Sequence, residues 1–197
     1  MPILGIMASQ MSGKLWQPDG AFDSLATITV GSGGVASVEF AGIPNTYKHL
    51  QIRGITQSNR PIYTTDNLNF QVGNGSIDTG ANYSKHSIFT DYQSGSVVYA
   101  DANVNSTDMG NAYTTTVVAN AFGAFIIDIL DYANTSKYKT ARVLSGADGN
   151  GSVLGYNPSV GLASGSWRST SSITNVRLTL FLSTLNQYST FSLYGIK

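Results

Sequence analysis

Val176-Arg177-Leu178-Thr179-Leu180-Phe181-Leu182-Ser183 is the stretch that decides the fold. Val176, Leu178, Leu180 and Leu182 recur at every second position, with Arg177, Thr179 and Ser183 between them. A period of two sends one set to a buried sheet face and the other toward solvent, the mark of a half-buried β-strand. Downstream, Phe191 and Leu193 are opposed to Ser192 and Tyr194 in the same way. Upstream, Ala26, Ile28 and Val30 alternate with Thr27 and Thr29, and Gly31-Ser32-Gly33-Gly34 leads into Val35 to Phe40, where Val38 and Phe40 share a face. This predicts a β-hairpin. After the turn at Ile43-Pro44-Asn45-Thr46, Leu50 and Ile52 point one way and His49, Gln51 and Arg53 the other.

The same reading extends through the middle of the chain. Leu68, Phe70 and Val72 alternate before Gly73-Asn74-Gly75, and Tyr83 to Thr90 and Val97 to Ala100 are shorter strand candidates. Ala124 to Leu130 is apolar on both faces, and its β-branched Ile126, Ile127 and Ile129 favour a central strand over a helix. Lys137 to Leu144 and Val153 to Tyr156 follow, separated by a loop at 145–151. About eight to ten strands punctuated by turns predict an all-β chain, a single jelly-roll-like β-sandwich. The sandwich is expected over residues 24–197, with residues 1–23 as an extended N-terminal arm broken by Gly13 and Pro18-Asp19-Gly20.

Composition narrows the function classes. Eleven basic and eleven acidic side chains cancel, so no net field draws the chain to nucleic acid or to an anionic membrane. No apolar run nears the roughly 20 residues needed to span a bilayer as a helix. Charged residues are only 11% of the chain, against roughly 25% in ordinary domains, and so weak a colloidal defence suits a protein buried in an assembly. With no cysteine, neither a disulfide framework nor a thiolate metal site is possible.

Catalytic signals are sparse. Only His49 and His86 could act as an imidazole base, and no Gly-x-Ser-x-Gly elbow accompanies them, so no catalytic residue, cofactor or metal ligand is assigned. Asp148-Gly149-Asn150-Gly151-Ser152 spaces oxygen ligands as a cation loop would, but lacks the closing acid of an EF-hand and reads as a turn. A carbohydrate-active sandwich enzyme would need a pair of acids in one cleft, to be drawn from Asp128, Asp131 and Asp148. The eleven tyrosines and two tryptophans point instead to binding, since aromatic faces anchor interfaces and stack on sugars. The candidate partner interface comprises Ile3, Leu4, Ile6, Met7, Trp16 and Phe22 along the arm, with Tyr63, Tyr92, Tyr99 and Trp167 in the sandwich.

Three stretches resemble a family of small virion structural proteins of tailed bacteriophages, cyanophage-like in character. They are the opening Met1-Pro2-Ile3-Leu4-Gly5-Ile6-Met7-Ala8-Ser9, the segment Phe22 to Gly31 running into Val38 to Gly54 with its Ile43-Pro44-Asn45-Thr46-Tyr47-Lys48-His49-Leu50, and the closing Leu193-Tyr194-Gly195-Ile196-Lys197. Together they cover about a third of the chain, and nothing between residues 60 and 170 carries the likeness. The resemblance implies a virion protein with a jelly-roll-like fold, assembled in the host cytoplasm. A capsid decoration or cement protein is the first expectation: a homotrimer lying on the major capsid protein or other virion proteins. A tail or fibre-tip protein that binds host glycans is the alternative.

Overall fold

The computed structural model describes residues 21–61, 65–91, 95–115, 120–147 and 159–197. Thirteen strands and no helix occur among them: β1 (Phe22–Thr29), β2 (Ser37–Phe40), β3 (His49–Ser58), β4 (Thr65–Asn74), β5 (Ser76–Ile77), β6 (Tyr83–Asp91), β7 (Gly95–Val104), β8 (Thr107–Thr114), β9 (Gly123–Leu130), β10 (Lys139–Ala147), β11 (Ser159–Trp167), β12 (Asn175–Leu180) and β13 (Thr190–Ile196). They make a sandwich-like arrangement of two layers. The larger layer runs β1-β13-β3-β9-β10-β11-β6-β7, and every neighbouring pair in it is antiparallel. The smaller runs β2-β12-β4-β8, with β5 folded back on β4.

β3 joins the layers. Its first eight residues pair with β13 and β9, and its last two, Gln57 and Ser58, pair in parallel with Tyr113 and Thr114 of β8. The inward rows meet between the sheets. Leu50, Ile52, Ile127, Ile129 and Val143 come from the larger layer, and Leu68, Val72, Met109, Val176 and Leu178 from the smaller, all essentially without solvent contact. Each such burial contributes roughly 1.5–3 kcal/mol, which is why the alternating rows fix the register of both layers.

Tyrosine hydroxyls and one carboxylate close the end of the core. Tyr83 Oη shares its one proton between the carbonyls of Val72 and Asp78, at 2.9 and 2.8 Å, and accepts from the Val72 N–H at 3.1 Å. Tyr132 Oη donates to the Pro44 carbonyl. Asp78 accepts from Trp167 Nε1 at 2.7 Å, from Asn82 Nδ2 at 2.9 Å and from the Gly80 N–H at 2.8 Å. Partial burial would raise its pKa, but these three donors hold the carboxyl below its ordinary range.

Several sequence expectations need correction. The first two strands do not form a hairpin: β1 pairs with β13 and β2 with β12. Gly33 and Gly34, both at positive φ, carry the chain from one layer to the other, and Val35 bridges to Leu185 instead of returning along β1. Each strand then turns its apolar row to the same core from opposite sides. Leu182 is exposed, because β12 ends at Leu180 and the alternation outruns the strand. β10 continues to Ala147, so residues 145–147 are strand and not loop. β8 and β11 were not anticipated at all. β1 opens at Phe22, inside the segment assigned to the arm, while residues 1–20 and the strand expected at Val153 to Tyr156 lie outside the described residues.

Candidate interaction surface and edge cleft

The larger layer turns one face to the core and leaves the other open, and its registers place apolar side chains in a row across that open face. Ile126 stands opposite Leu144, Leu144 opposite Leu162, Leu162 opposite Ile88, and Ile88 opposite Val98. The row therefore crosses five adjacent strands, β9-β10-β11-β6-β7, without a polar interruption. Its members are between 41% and 69% exposed. Ile55 and Val160, on the next row, widen it. The patch is on the order of several hundred Å², at the upper end of what a monomer usually shows to water.

A polar row borders it. Arg53 Nε donates to Gln51 Oε1 at 2.6 Å, Gln51 Nε2 to Asp128 Oδ1 at 2.7 Å, and Arg142 Nε to Asp128 Oδ2 at 3.1 Å, so three strands are tied by one chain of side-chain hydrogen bonds. Ser164 and His86 continue the line across β11 and β6. Between the rows lie two shallow grooves that share Arg142 and Leu162: one of about 540 Å³ reaching Ile88 and Val98, the other of about 370 Å³ reaching Ile126 and Leu144. An apolar floor with a hydrogen-bonded polar border has the anatomy of a protein-binding face.

At the far edge of the same layer, β7 overhangs the smaller sheet. Eight of its ten residues are exposed. The overhang encloses a cleft of about 390 Å³ between β6, β7, β4 and β8, lined by Lys85, Phe89, Val97, Tyr99, Asp101, Asp108, Asn67, Asn111 and Thr65. Lys85 Nζ sits 2.5 Å from Asp108 Oδ2 and 3.3 Å from Asp101 Oδ2. Burial alone would lower the lysine pKa, but the two carboxylates raise it overall, so the ammonium stays charged between them.

The residues singled out from the sequence separate into three groups. Ile3, Leu4, Ile6, Met7, Trp16, Tyr63 and Tyr92 lie outside the described residues. Phe22 and Tyr99 are exposed: Tyr99 lines the edge cleft, and Phe22 meets Tyr194 edge-on at 6.4 Å with the Arg53 guanidinium 4.8 Å over its ring. Trp167 is corrected from interface to core. It is 6% exposed and its indole is committed to Asp78, because it ends β11 on the inward side of the register. The sequence reading missed the aliphatic row altogether, although the doubly apolar character of Ala124 to Leu130 was its trace.

The described residues hold no group of three or more potential metal ligands. Asp128 is engaged by Gln51 and Arg142, and Asp131 by Lys137, while Asp148 lies outside the described residues. His49 Nδ1 accepts the Asp131 N–H at 2.9 Å, which ties the ring to the residue that follows β9. Asp101 and Asp108 do share a cleft, and both face the Lys85 ammonium, which holds their acceptor oxygens in place. No protein-family model and no curated protein matches the chain.

Proposed function

We propose that the chain is a structural protein of a tailed-bacteriophage particle, a head decoration or cement protein that assembles as a homotrimer and packs on the major capsid protein. The observation that carries this reading is the in-register apolar row Ile126-Leu144-Leu162-Ile88-Val98 on the open face of the larger layer. A flat aliphatic face of that size favours burial against another protein surface, and the low charge of the chain removes much of the repulsion that would oppose it. A protein that docks only on assembled shell stabilises that shell by mass action. The resemblance of both ends of the chain to small virion proteins supports the same reading.

The test is location and occupancy. Electron microscopy of particles carrying the wild-type chain should place it on the head, and the L144K L162K double variant should lower occupancy at least tenfold. Both side chains are more than half exposed, so the variant should keep the wild-type circular dichroism spectrum. Full occupancy by the variant overturns the proposal. The edge cleft favours a second reading, a tail or fibre-tip protein that binds host glycans, and density on the tail would select it.

A further inference from the structure

We infer that the edge cleft binds neutral glycans, with Tyr99 as the stacking surface and Asp101, Asp108 and Asn67 as hydroxyl partners. A pyranose offers an apolar C–H face and a rim of hydroxyls, so its site needs an exposed ring beside planar polar groups held still. Tyr99 supplies the ring. It is 56% exposed on an edge strand, where a large aromatic gains little for the fold. Phe89 and Val97, directly opposed across β6 and β7, give the cleft an apolar floor next to it.

The polar groups are held still by Lys85. Its ammonium fixes Asp108 at 2.5 Å and Asp101 at 3.3 Å, leaving each carboxylate with further lone pairs for a ligand's hydroxyls. Carboxylates already oriented before binding lose little freedom when a ligand arrives, which raises affinity without new contacts. Asn67 is exposed at the rim, and no hydrogen bond of its side chain occurs among the described residues. A volume of about 390 Å³ falls within the range of small-ligand sites, roughly 300–1,000 Å³.

Charge selects the class of sugar. Two carboxylates and one ammonium line the cleft, leaving it negative, so sulfated, sialylated and uronic glycans are repelled and neutral ones admitted. This inference rests on the cleft that favours the second reading above. It does not depend on the apolar row.

The full chain should be screened against an array of neutral and anionic oligosaccharides, and the best neutral binder titrated by calorimetry. Tyr99→Ala should weaken binding by about tenfold, the size of one aromatic contact, whereas Tyr99→Phe keeps it within a few-fold. Asp101→Asn and Asn67→Ala should each weaken it several-fold, and L144K L162K should leave it unchanged. Failure of every oligosaccharide, neutral or anionic, to bind at millimolar concentration overturns both the inference and the glycan-binding reading. Binding of anionic glycans alone overturns the neutral class and leaves that reading standing. Neutral binding that survives Tyr99→Ala, in a variant whose circular dichroism matches wild type, removes the cleft as the site.

Discussion

Tyr83 brings a phenol into the core with every polar valence met, since its oxygen touches Val72 N, Val72 O and Asp78 O. Burial, reinforced by the nearby Asp78 charge and partly offset by the bond to Val72, pushes its pKa up to about 12. The folded state therefore favours the neutral phenol. That advantage is whole below pH 10 and is lost as pH rises from 10 through about 12, a change of about 3 kcal/mol. Urea midpoints measured across this range should fall more steeply for wild type than for Tyr83→Phe, which should itself cost about 1–2 kcal/mol at neutral pH. Lys139 is a second case. It is 2% exposed, and its ammonium donates to the carbonyls of Asn134, Lys137 and Thr170 at 2.6, 3.0 and 3.1 Å. Lys139→Met should lower stability by roughly 1–3 kcal/mol in chemical denaturation, because three part-buried carbonyls lose a charged donor together. Neither role was legible from the sequence, where a tyrosine in a strand and a lysine at a strand end both read as ordinary surface residues.

β11 explains why two strands escaped the sequence reading. Its inward residues are Ser159, Gly161, Ala163 and Gly165 before Trp167, so the aliphatic alternation that marks a strand is absent from the side that matters. The small residues let β8 come close. A Cβ on Gly165 would lie 2.4 Å from Thr107 Cγ2, and one on Gly110 of β8 would lie 2.6 Å from Ser145 Cβ. Small residues packed against neighbouring side chains, and not aliphatic alternation, mark this part of the sandwich, and β8 is its counterpart with Gly110 and Ala112. Gly165→Val should destabilise by about 1–3 kcal/mol or more through overpacking, measured by thermal or urea unfolding, and Thr107→Ala in the same chain should recover part of the loss. By contrast β4, β12, β13 and the first half of β3 largely alternate, because both their rows do what the period of two implies: Leu50 and Ile52 inward against Gln51 and Arg53 outward is one example.

Across the whole molecule, the difficulty for sequence reading was of the opposite kind. Ala124 to Leu130 was rightly read as a strand apolar on both faces, and a central position with two covered faces was the natural inference. Phe125, Ile127 and Ile129 are indeed covered, but Ile126 and Leu130 are not. Periodicity reports which side chains are apolar; only the registers show that Ile126, Leu144, Leu162, Ile88 and Val98 fall in one line. The edge cleft was still less visible, since Lys85, Asp101 and Asp108 belong to three strands and only Tyr99 among its lining stood out as an exposed aromatic candidate. The pairing of the outermost strands adds a mechanical consequence. Phe22 faces Ile196 and Thr29 faces Thr190, so the start of β1 and the finish of β13 emerge side by side. Tension applied between residues 21 and 197 would unzip this pair one rung at a time instead of shearing all its bonds at once. A load carried through both ends would open this seam first, whereas an attachment spread over the open face would leave it unstressed.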